Sequence, residues 1–154
     1  MTDISVKIEG LDKFHKRLKV NQDAIEKEVA AALFVSAKKI EGDAKKSILQ
    51  GGKTGRTYQK YNPRRTHRAS APGQAPASDT GRLVNSIHSE LIRRIPEAVI
   101  KAGGGVVKYA RMLEYGTSKM AARPFFFPAV ERNRRFITER VKKGIRKAIA
   151  RANR

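Results

Sequence analysis

The chain of 154 residues contains no cysteine, which excludes disulfide bonds and cysteine-ligated metal sites. Histidine is scarce too: His15, His67 and His88 lie far apart, and this spacing argues against a zinc site. No apolar run approaches the roughly 20 residues that a membrane-spanning helix needs. The first residues lack the basic start and apolar stretch of a signal peptide, so we expect a soluble protein made in a cytoplasm.

Acidic residues are also scarce. The chain has 34 Lys and Arg against 14 Asp and Glu, which gives a formal net charge of +20. Residues 1 to 49 are nearly balanced, whereas residues 131 to 154 are dense in basic side chains. Residues 50 to 78 contain no acid at all, but they contain Lys53, Arg56, Lys60, Arg64, Arg65 and Arg68. Two regions of this charge attract polyanions such as nucleic acid, or acidic protein surfaces.

The first third of the chain predicts one strand and two helices. Alternating apolar residues predict a strand over residues 3 to 9, and a short helix is predicted from Leu11 to about Lys19. Asn21 is predicted to be the N-cap of a second, long helix that ends before Gly51. The apolar stripe of that helix repeats over about six turns. Its members are Ile25, Val29, Leu33, Ala37, Ile40, Ala44 and Ile48.

A basic β-hairpin arm is predicted over residues 53 to 70, with Asn62 and Pro63 at its turn. Both faces of the hairpin are polar, so we expect it to project from the domain and to be ordered by docking onto a partner. A disordered basic loop is the alternative. A linker rich in Pro, Ala and Gly follows, so that residues 53 to 78 form the arm and linker of a single domain spanning residues 1 to 154.

Shorter elements are predicted between the linker and residue 116. Asp79 or Thr80 is predicted to cap a short helix, and residues 87 to 95 and 98 to 102 form an antiparallel strand pair. Val106, Val107 and Tyr109 suggest the end of a further strand. Residues 110 to 115 predict one helical turn that Gly116 ends in a positive-φ conformation.

The last third predicts an extended segment over residues 121 to 128 and a final helix that starts near Pro128. Side chains alternate along an extended segment, so Phe126 is expected to face an interface while Phe125 and Phe127 face the core. The stripe of the final helix is Val130, Ile137, Val141, Ile145 and Ile149, and it packs on the sheet or on the long helix. Its exposed basic residues are then Arg134, Arg135, Lys142, Lys143, Arg146 and Lys147. The predicted fold class is α+β, a small antiparallel sheet packed by two helices with a projecting hairpin arm.

The sequence offers no set of residues for catalysis. Three scattered histidines make no Ser-His-acid arrangement, and Asp and Glu do not cluster as a two-metal nuclease requires. The glycines at 103 to 105 lack the spacing of a phosphate-binding loop. Glu114, next to Tyr115, is predicted to form a surface or interface ion pair. We therefore expect a protein that is not an enzyme and binds no cofactor or metal.

Two blocks of residues carry a resemblance to a known family. The first comprises KTGRTY at 53–58, HRASAPGQAP at 67–76 and DTGRLVNSI at 79–87, and the second is YARMLEYGTSKMAARPF at 109–125. Together they resemble the tail-component family of long-tailed bacteriophages, whose signature reads YA, EFGT and RPF in this order. Tyr115 stands where the family usually has phenylalanine.

The resemblance implies a structural virion protein at the head–tail junction, a neck or tail-completion subunit with an α+β fold. Such subunits assemble in the host cytoplasm as hexameric rings, next to head-closure, tail-terminator or tail-tube proteins and with contact to genomic DNA. A phage, a prophage or a gene-transfer particle could encode it, and no membrane contact is implied. The main alternative, which depends on charge alone, is a stand-alone basic nucleic-acid-binding protein.

The expected contacts follow from these motifs and charges. Residues expected to contact neighbouring subunits or neck proteins are Arg56, Tyr58, Arg64, Arg65, Arg68, Glu114, Tyr115, Arg123 and Phe126. Residues expected to face DNA or an acidic adjoining ring are Arg135, Lys142 and Arg146.

Overall fold

The computed structural model describes residues 11–92, 97–105 and 107–152, and four helices and four short strands are assigned there. The helices are α1 (Leu11–Leu49), α2 (Arg82–Ser86), α3 (Ala110–Tyr115) and α4 (Phe127–Ala152). The strands are β1 (Thr57–Tyr61), β2 (Arg64–Arg68), β3 (His88–Ile92) and β4 (Glu97–Lys101). These elements confirm the α+β class. The predicted strand over residues 3 to 9 lies outside the described residues.

One continuous helix occupies the region where two were predicted. The predicted end at Lys19 and the N-cap at Asn21 are wrong, because α1 runs without interruption from Leu11 to Leu49. No Gly or Pro lies between Leu11 and Glu41, and an asparagine inside a helix costs only a few tenths of a kcal/mol. The predicted end before Gly51 is confirmed, and the Gly51 N–H donates to the Ile48 carbonyl at 3.3 Å.

α4 packs antiparallel on α1. Of the two surfaces predicted to receive its apolar stripe, the sheet and the long helix, the long helix is the one observed. Asn133 near the start of α4 donates to Asp43 at 2.7 Å, and Arg151 near its end donates to Glu28 at 2.6 Å. At Gly144 an added Cβ would lie 3.0 Å from the Glu28 carbonyl oxygen, so glycine lets the two helices approach closely here. The residues of α4 at the centre of the contact are small or polar, namely Ala129, Asn133, Gly144 and Ala148.

The predicted stripe of α4 flanks that contact. Val130, Ile137, Val141 and Ile145 are half-buried. Ile149 is largely exposed near the end of the helix, so its assignment to the packed stripe is wrong.

The main core lies where α1 meets α2, α3 and the start of α4. Its large members are Ile40, Ile48, Leu83, Ile87 and Phe125. β3 and β4 pair antiparallel, from His88 opposite Lys101 to Ile92 opposite Glu97, and contact α1. This confirms the predicted strand pair. The further strand predicted near Val107 and Tyr109 is wrong, since Val107 forms only an isolated bridge with Gly104 and Tyr109 lies in a turn.

β1 and β2 form a second, separate two-stranded sheet, which confirms the predicted hairpin with strands of five residues each. The segment from 70 to 78 differs from the predicted extended linker. It turns at residues 72 to 74, and Ser70 and Pro76 are buried. The Gly73 N–H donates to the Ala122 carbonyl at 2.9 Å, so this segment is fixed to the second motif block.

A buried carboxylate connects α1 to the β3–β4 pair and predicts an acid-sensitive fold. Glu41 is 8% exposed and accepts hydrogen bonds from Lys45 at 2.6 Å, Ser89 at 2.6 Å and Lys38 at 2.9 Å. Burial alone would raise its pKa, but the three hydrogen bonds outweigh burial and lower the pKa from 4.5 to about 2.

We expect this carboxylate to stabilise the fold by about 2–3 kcal/mol above pH 4.5, because the folded state holds the deprotonated form more tightly than the unfolded chain does. That stabilisation should disappear as the pH falls from 4.5 towards 2. Urea unfolding at several pH values checks this. Glu41→Gln should flatten the acid limb, while Glu139→Gln at an exposed position should keep it. Equal acid limbs in the two variants would contradict the assignment.

Candidate assembly surfaces

The second motif block contains a buried carboxylate that accepts hydrogen bonds from backbone N–H groups at the start of α4. Glu114 lies on α3 and is 8% exposed. Its carboxylate accepts the backbone N–H groups of Phe125 at 2.9 Å, Phe126 at 3.0 Å and Phe127 at 2.8 Å. These donors open α4 and have no acceptor within the helix, and an anion is stabilised at such a helix start. The predicted surface or interface ion pair of Glu114 is therefore wrong.

Gly116 fixes the path between α3 and α4. Its φ is +77°, which confirms the predicted positive φ, and its N–H donates to the Met112 carbonyl at 2.8 Å. The chain then turns back, so that the Arg123 N–H donates to the Leu113 carbonyl at 2.7 Å. An added Cβ at Gly116 would lie 2.8 Å from the Ala122 nitrogen and from the Met120 carbonyl oxygen. This position therefore requires glycine on two independent grounds.

The two motif blocks meet at Ser70. The Arg123 Nε donates to the Ser70 carbonyl at 3.2 Å, and Arg123 is half-buried. Gly55 lies on the other side, where an added Cβ would be 2.3 Å from the same carbonyl oxygen. Arg123, predicted to contact a partner, thus makes a contact inside the chain. We call the region formed by Gly55, Ser70, Glu114, Gly116 and Arg123 the motif junction.

Three large side chains near the motif junction are exposed, and we call them the aromatic patch: Met112 and Tyr115, three residues apart on α3, and Phe127 at the start of α4. Their exposed fractions are 52%, 64% and 50%. The rings of Tyr115 and Phe127 are in edge contact, with centroids 5.8 Å apart. Large exposed apolar side chains that cluster in this way are typical of protein interaction sites.

The aromatic patch corrects the prediction for the three consecutive phenylalanines. Phe125 is buried in the core, and Phe126 is half-buried against it, with ring centroids 6.5 Å apart. Phe127 is the exposed member. α4 begins at Phe127, so the extended segment ends before this residue. Side chains in a helix do not alternate between two faces as they do in an extended segment. The expectation that Phe127 faces the core is therefore wrong, and the interface contact of Phe126 stays a prediction.

The hairpin presents two chemically different faces. Alternate residues Tyr58, Lys60, Arg65 and His67 lie on what we call the inner face, and they pair across the strands as Tyr58 with His67 and Lys60 with Arg65. Arg64 and Arg68, on the other face, are exposed, and the Arg68 Nε donates to the Gly55 carbonyl at 3.2 Å. The Arg56 guanidinium lies 5.6 Å from the centroid of the Tyr58 ring.

Asp79 holds the inner face of the hairpin against the rest of the chain. Its carboxylate accepts a hydrogen bond from Lys60, lies 3.4 Å from Arg65 Nη2 and lies 3.7 Å from His67 Nδ1. The hydrogen bond from Lys60 is the main cause that lowers the pKa of Asp79. Neither Asp79 nor Thr80 caps α2, as had been predicted, because the N-cap is Gly81 and no side chain caps the helix. These contacts connect the inner face of the projecting hairpin to the segment that precedes α2.

α4 carries a basic surface, as predicted, and we call it the basic face. Arg134, Arg135, Lys142, Lys143, Arg146 and Lys147 are all exposed. Glu131 pairs with Arg134 at 3.1 Å, and Glu28 pairs with Lys147 at 3.0 Å. Within the described part of the chain, no carboxylate lies within 4.0 Å of Arg135, Lys142 or Arg146. This face therefore keeps a surplus of positive charge.

Within residues 11–92, 97–105 and 107–152, no group of three or more His, Asp and Glu side chains is placed to hold a metal ion. No helix in those ranges combines the length and the apolar character needed to cross a bilayer. Comparison with protein-family profiles, with curated proteins and with solved structures gives no match to this chain.

Proposed function

We propose that this chain is a structural virion subunit of the head–tail junction, a neck or tail-completion protein that assembles as a hexameric ring. The proposal starts from the resemblance of the two motif blocks to the tail-component family of long-tailed bacteriophages. The observation that supports it most is the motif junction, where residues from both blocks hold each other through backbone contacts. The residues of the motif junction fix the path of the backbone. The exposed side chains around them then determine which partners the surface can bind.

Ring closure explains why the chain displays more than one kind of surface. A ring forms through head-to-tail contacts, so each subunit needs two different faces that complement each other. The aromatic patch offers apolar area, and the hairpin offers a polar, basic surface with Tyr61 exposed at its tip. In this proposal the hairpin and the aromatic patch serve contacts to neighbouring subunits or to head-closure, tail-terminator or tail-tube proteins.

The basic face of α4 fits a polyanionic neighbour in the same assembly, either genomic DNA passing through the neck or the acidic surface of an adjoining ring. Arg135, Lys142 and Arg146 are the residues we assign to this contact. The same surplus charge favours the second candidate, a stand-alone nucleic-acid-binding protein. The two differ in what the isolated monomer does, because a dedicated binder holds duplex DNA tightly with a steep dependence on salt.

Removing the hairpin should separate folding from assembly. Arg56 and Ala69 are paired by a backbone hydrogen bond of 2.9 Å, so a short glycine link can join them in place of residues 57 to 68. We expect the shortened protein to keep its melting temperature within a few degrees, because the hairpin adds no residue to the main core. Particle completion should fail, as measured by the yield of infectious or DNA-transferring particles.

A matched control keeps the hairpin and removes one exposed charge elsewhere, as Glu139→Gln does. That variant should complete particles normally. A shortened protein that no longer folds would show that the hairpin is part of the stable core. A shortened protein that completes particles would contradict the assembly role, and tight, salt-sensitive DNA binding by the intact monomer would then favour the second candidate.

A further inference from the structure

The inner face of the hairpin covers a cleft of about 740 Å³, which we call the hairpin cleft. This volume lies within the roughly 300–1,000 Å³ range of clefts that hold ligands. One wall is the inner face itself. The other wall comes from α2, α3 and the loop after α3, and it contributes Leu83, Tyr109, Leu113 and Met120. The hairpin wall is therefore basic, and the opposite wall combines this apolar surface with the cations Arg82 and Arg123.

The described residues that line the hairpin cleft carry a strong excess of positive charge. Cationic side chains come from Lys60, Arg65, Arg82 and Arg123, and His67 joins them when it is protonated. Asp79 is the one carboxylate among these lining residues. It is already engaged by Lys60, Arg65 and His67. One internal carboxylate cannot balance this set, so the cleft favours further negative charge.

Two polar atoms of the cleft lining are buried and lack a hydrogen-bond partner within the described part of the chain. They are the Nε of Arg65 and the Oγ of Ser70. Ser70 is only 1% exposed. A buried polar group without a partner costs about 1–3 kcal/mol, and such groups are rare in folded proteins. Each of these atoms can donate one hydrogen bond, and a carboxylate accepts such bonds.

We propose that the hairpin cleft binds an extended segment of a partner protein in which acidic and apolar residues alternate. Successive side chains of an extended segment point to opposite sides, so its carboxylates would face the inner face while its apolar side chains meet Leu113 and Met120. The Arg65 Nε donates a hydrogen bond to one of these carboxylates of the partner segment. This binding goes beyond the proposed virion role, because it needs only the folded chain and not the ring.

The concave shape of the cleft favours a peptide over DNA. A DNA duplex is a wide convex rod, and it meets the exposed basic face of α4 without entering a covered cleft. An extended peptide is narrow enough to lie between two walls, and peptide recognition commonly combines backbone contacts with pockets for alternate side chains.

A fluorescein-labelled peptide of alternating glutamate and valine tests the proposal by fluorescence anisotropy with the purified full chain near physiological ionic strength. We expect saturable binding of this peptide and none of a peptide with glutamine in place of glutamate. Arg65→Gln should weaken binding by about tenfold or more, because it removes a partly buried charged donor. Arg135→Gln removes the same charge from the basic face and should change binding by less than about twofold.

Melting temperatures establish that both variants are folded, and Lys60→Gln replaces Arg65→Gln if the latter does not fold. A photoreactive group on one valine should label the segment from Leu113 to Met120. The proposal is overturned if the peptide does not bind, if Arg65→Gln and Arg135→Gln weaken it equally, or if the label falls on α4. Displacement of the peptide by duplex DNA with labelling of α4 would identify a general polyanion site on the basic face instead.

Discussion

Replacing Glu114 by alanine should lower the free energy of unfolding by about 3–4 kcal/mol. The change leaves the N–H groups of Phe125, Phe126 and Phe127 without their acceptor at the start of α4. Buried donors without a partner cost about 1–3 kcal/mol each, and a charged acceptor at a helix start contributes more than a neutral one. Urea unfolding measures the loss. Glu114→Gln keeps the shape but loses the charge, so its effect should be smaller.

Glu131→Ala provides the matched control, because Glu131 is an exposed glutamate of α4 and, among the described residues, forms an ion pair with Arg134 alone. Such a surface pair contributes at most about 1 kcal/mol. The helix-capping account predicts a clear gap between the two alanine variants. Equal losses of stability at Glu114 and Glu131 would contradict it.

Replacing Gly116 by valine should destabilise the fold by at least about 3 kcal/mol. A β-branched residue is strained at a φ of +77°, and its Cβ would meet backbone atoms of Met120 and Ala122 at 2.8 Å. These atoms belong to the loop that brings Arg123 to its place in the motif junction. We therefore expect a large fall in the melting temperature, together with loss of the Tyr115–Phe127 contact.

Two other glycines separate backbone strain from collision. Gly73 has a φ of +78° but open space around its Cβ position, so Gly73→Ala should cost only about 1 kcal/mol. Gly42 lies inside α1 with nothing within 4 Å, and Gly42→Ala should stabilise the protein by about 0.5–1 kcal/mol. If Gly116→Val were no worse than Gly73→Ala, the loop would be able to move aside and the close packing described for it would be wrong.

Periodicity was sufficient to predict the long elements. The apolar repeat from Ile25 to Ile48 corresponds to the buried side of α1, and the repeat after Pro128 marks α4. Such repeats extend over many turns, so an error at one residue changes little. The hairpin was also predictable, since the turn at Asn62 and Pro63 separates two short polar strands.

Two predictions that depended on a single capping residue failed. Asn21 has the chemistry of an N-cap, yet the helix continues through it. Asp79 was a candidate cap for α2, but α2 begins at Arg82 with Gly81 as its N-cap, and the Asp79 carboxylate accepts hydrogen bonds from Lys60 and Arg65 of the hairpin. For Asp79 the cause is visible: the local sequence shows which bonds a side chain can form, and its tertiary partners decide which of them it forms.

The motif junction could not be predicted from the sequence, although its residues had been singled out. Glu114 acts on donors 11 to 13 positions later in the chain, and Arg123 acts on a carbonyl 53 positions earlier. No periodic pattern specifies contacts of this kind. Once the contacts are known, the spacing of EYGT and RPF has a physical reason: it places a carboxylate, a positive-φ glycine and an arginine at the start of one helix.

The central claim is that this chain forms a ring at the junction of head and tail, and a cryo-EM reconstruction of the neck tests it most directly. The particles are those produced by the phage, prophage or gene-transfer element that encodes the chain. We predict a closed ring of subunits with α1 packed antiparallel on α4, the hairpin touching a neighbouring subunit or an adjoining ring, and the basic face towards DNA or an acidic surface. Complete, DNA-filled, tailed particles whose neck density is fully explained without this chain would contradict the account.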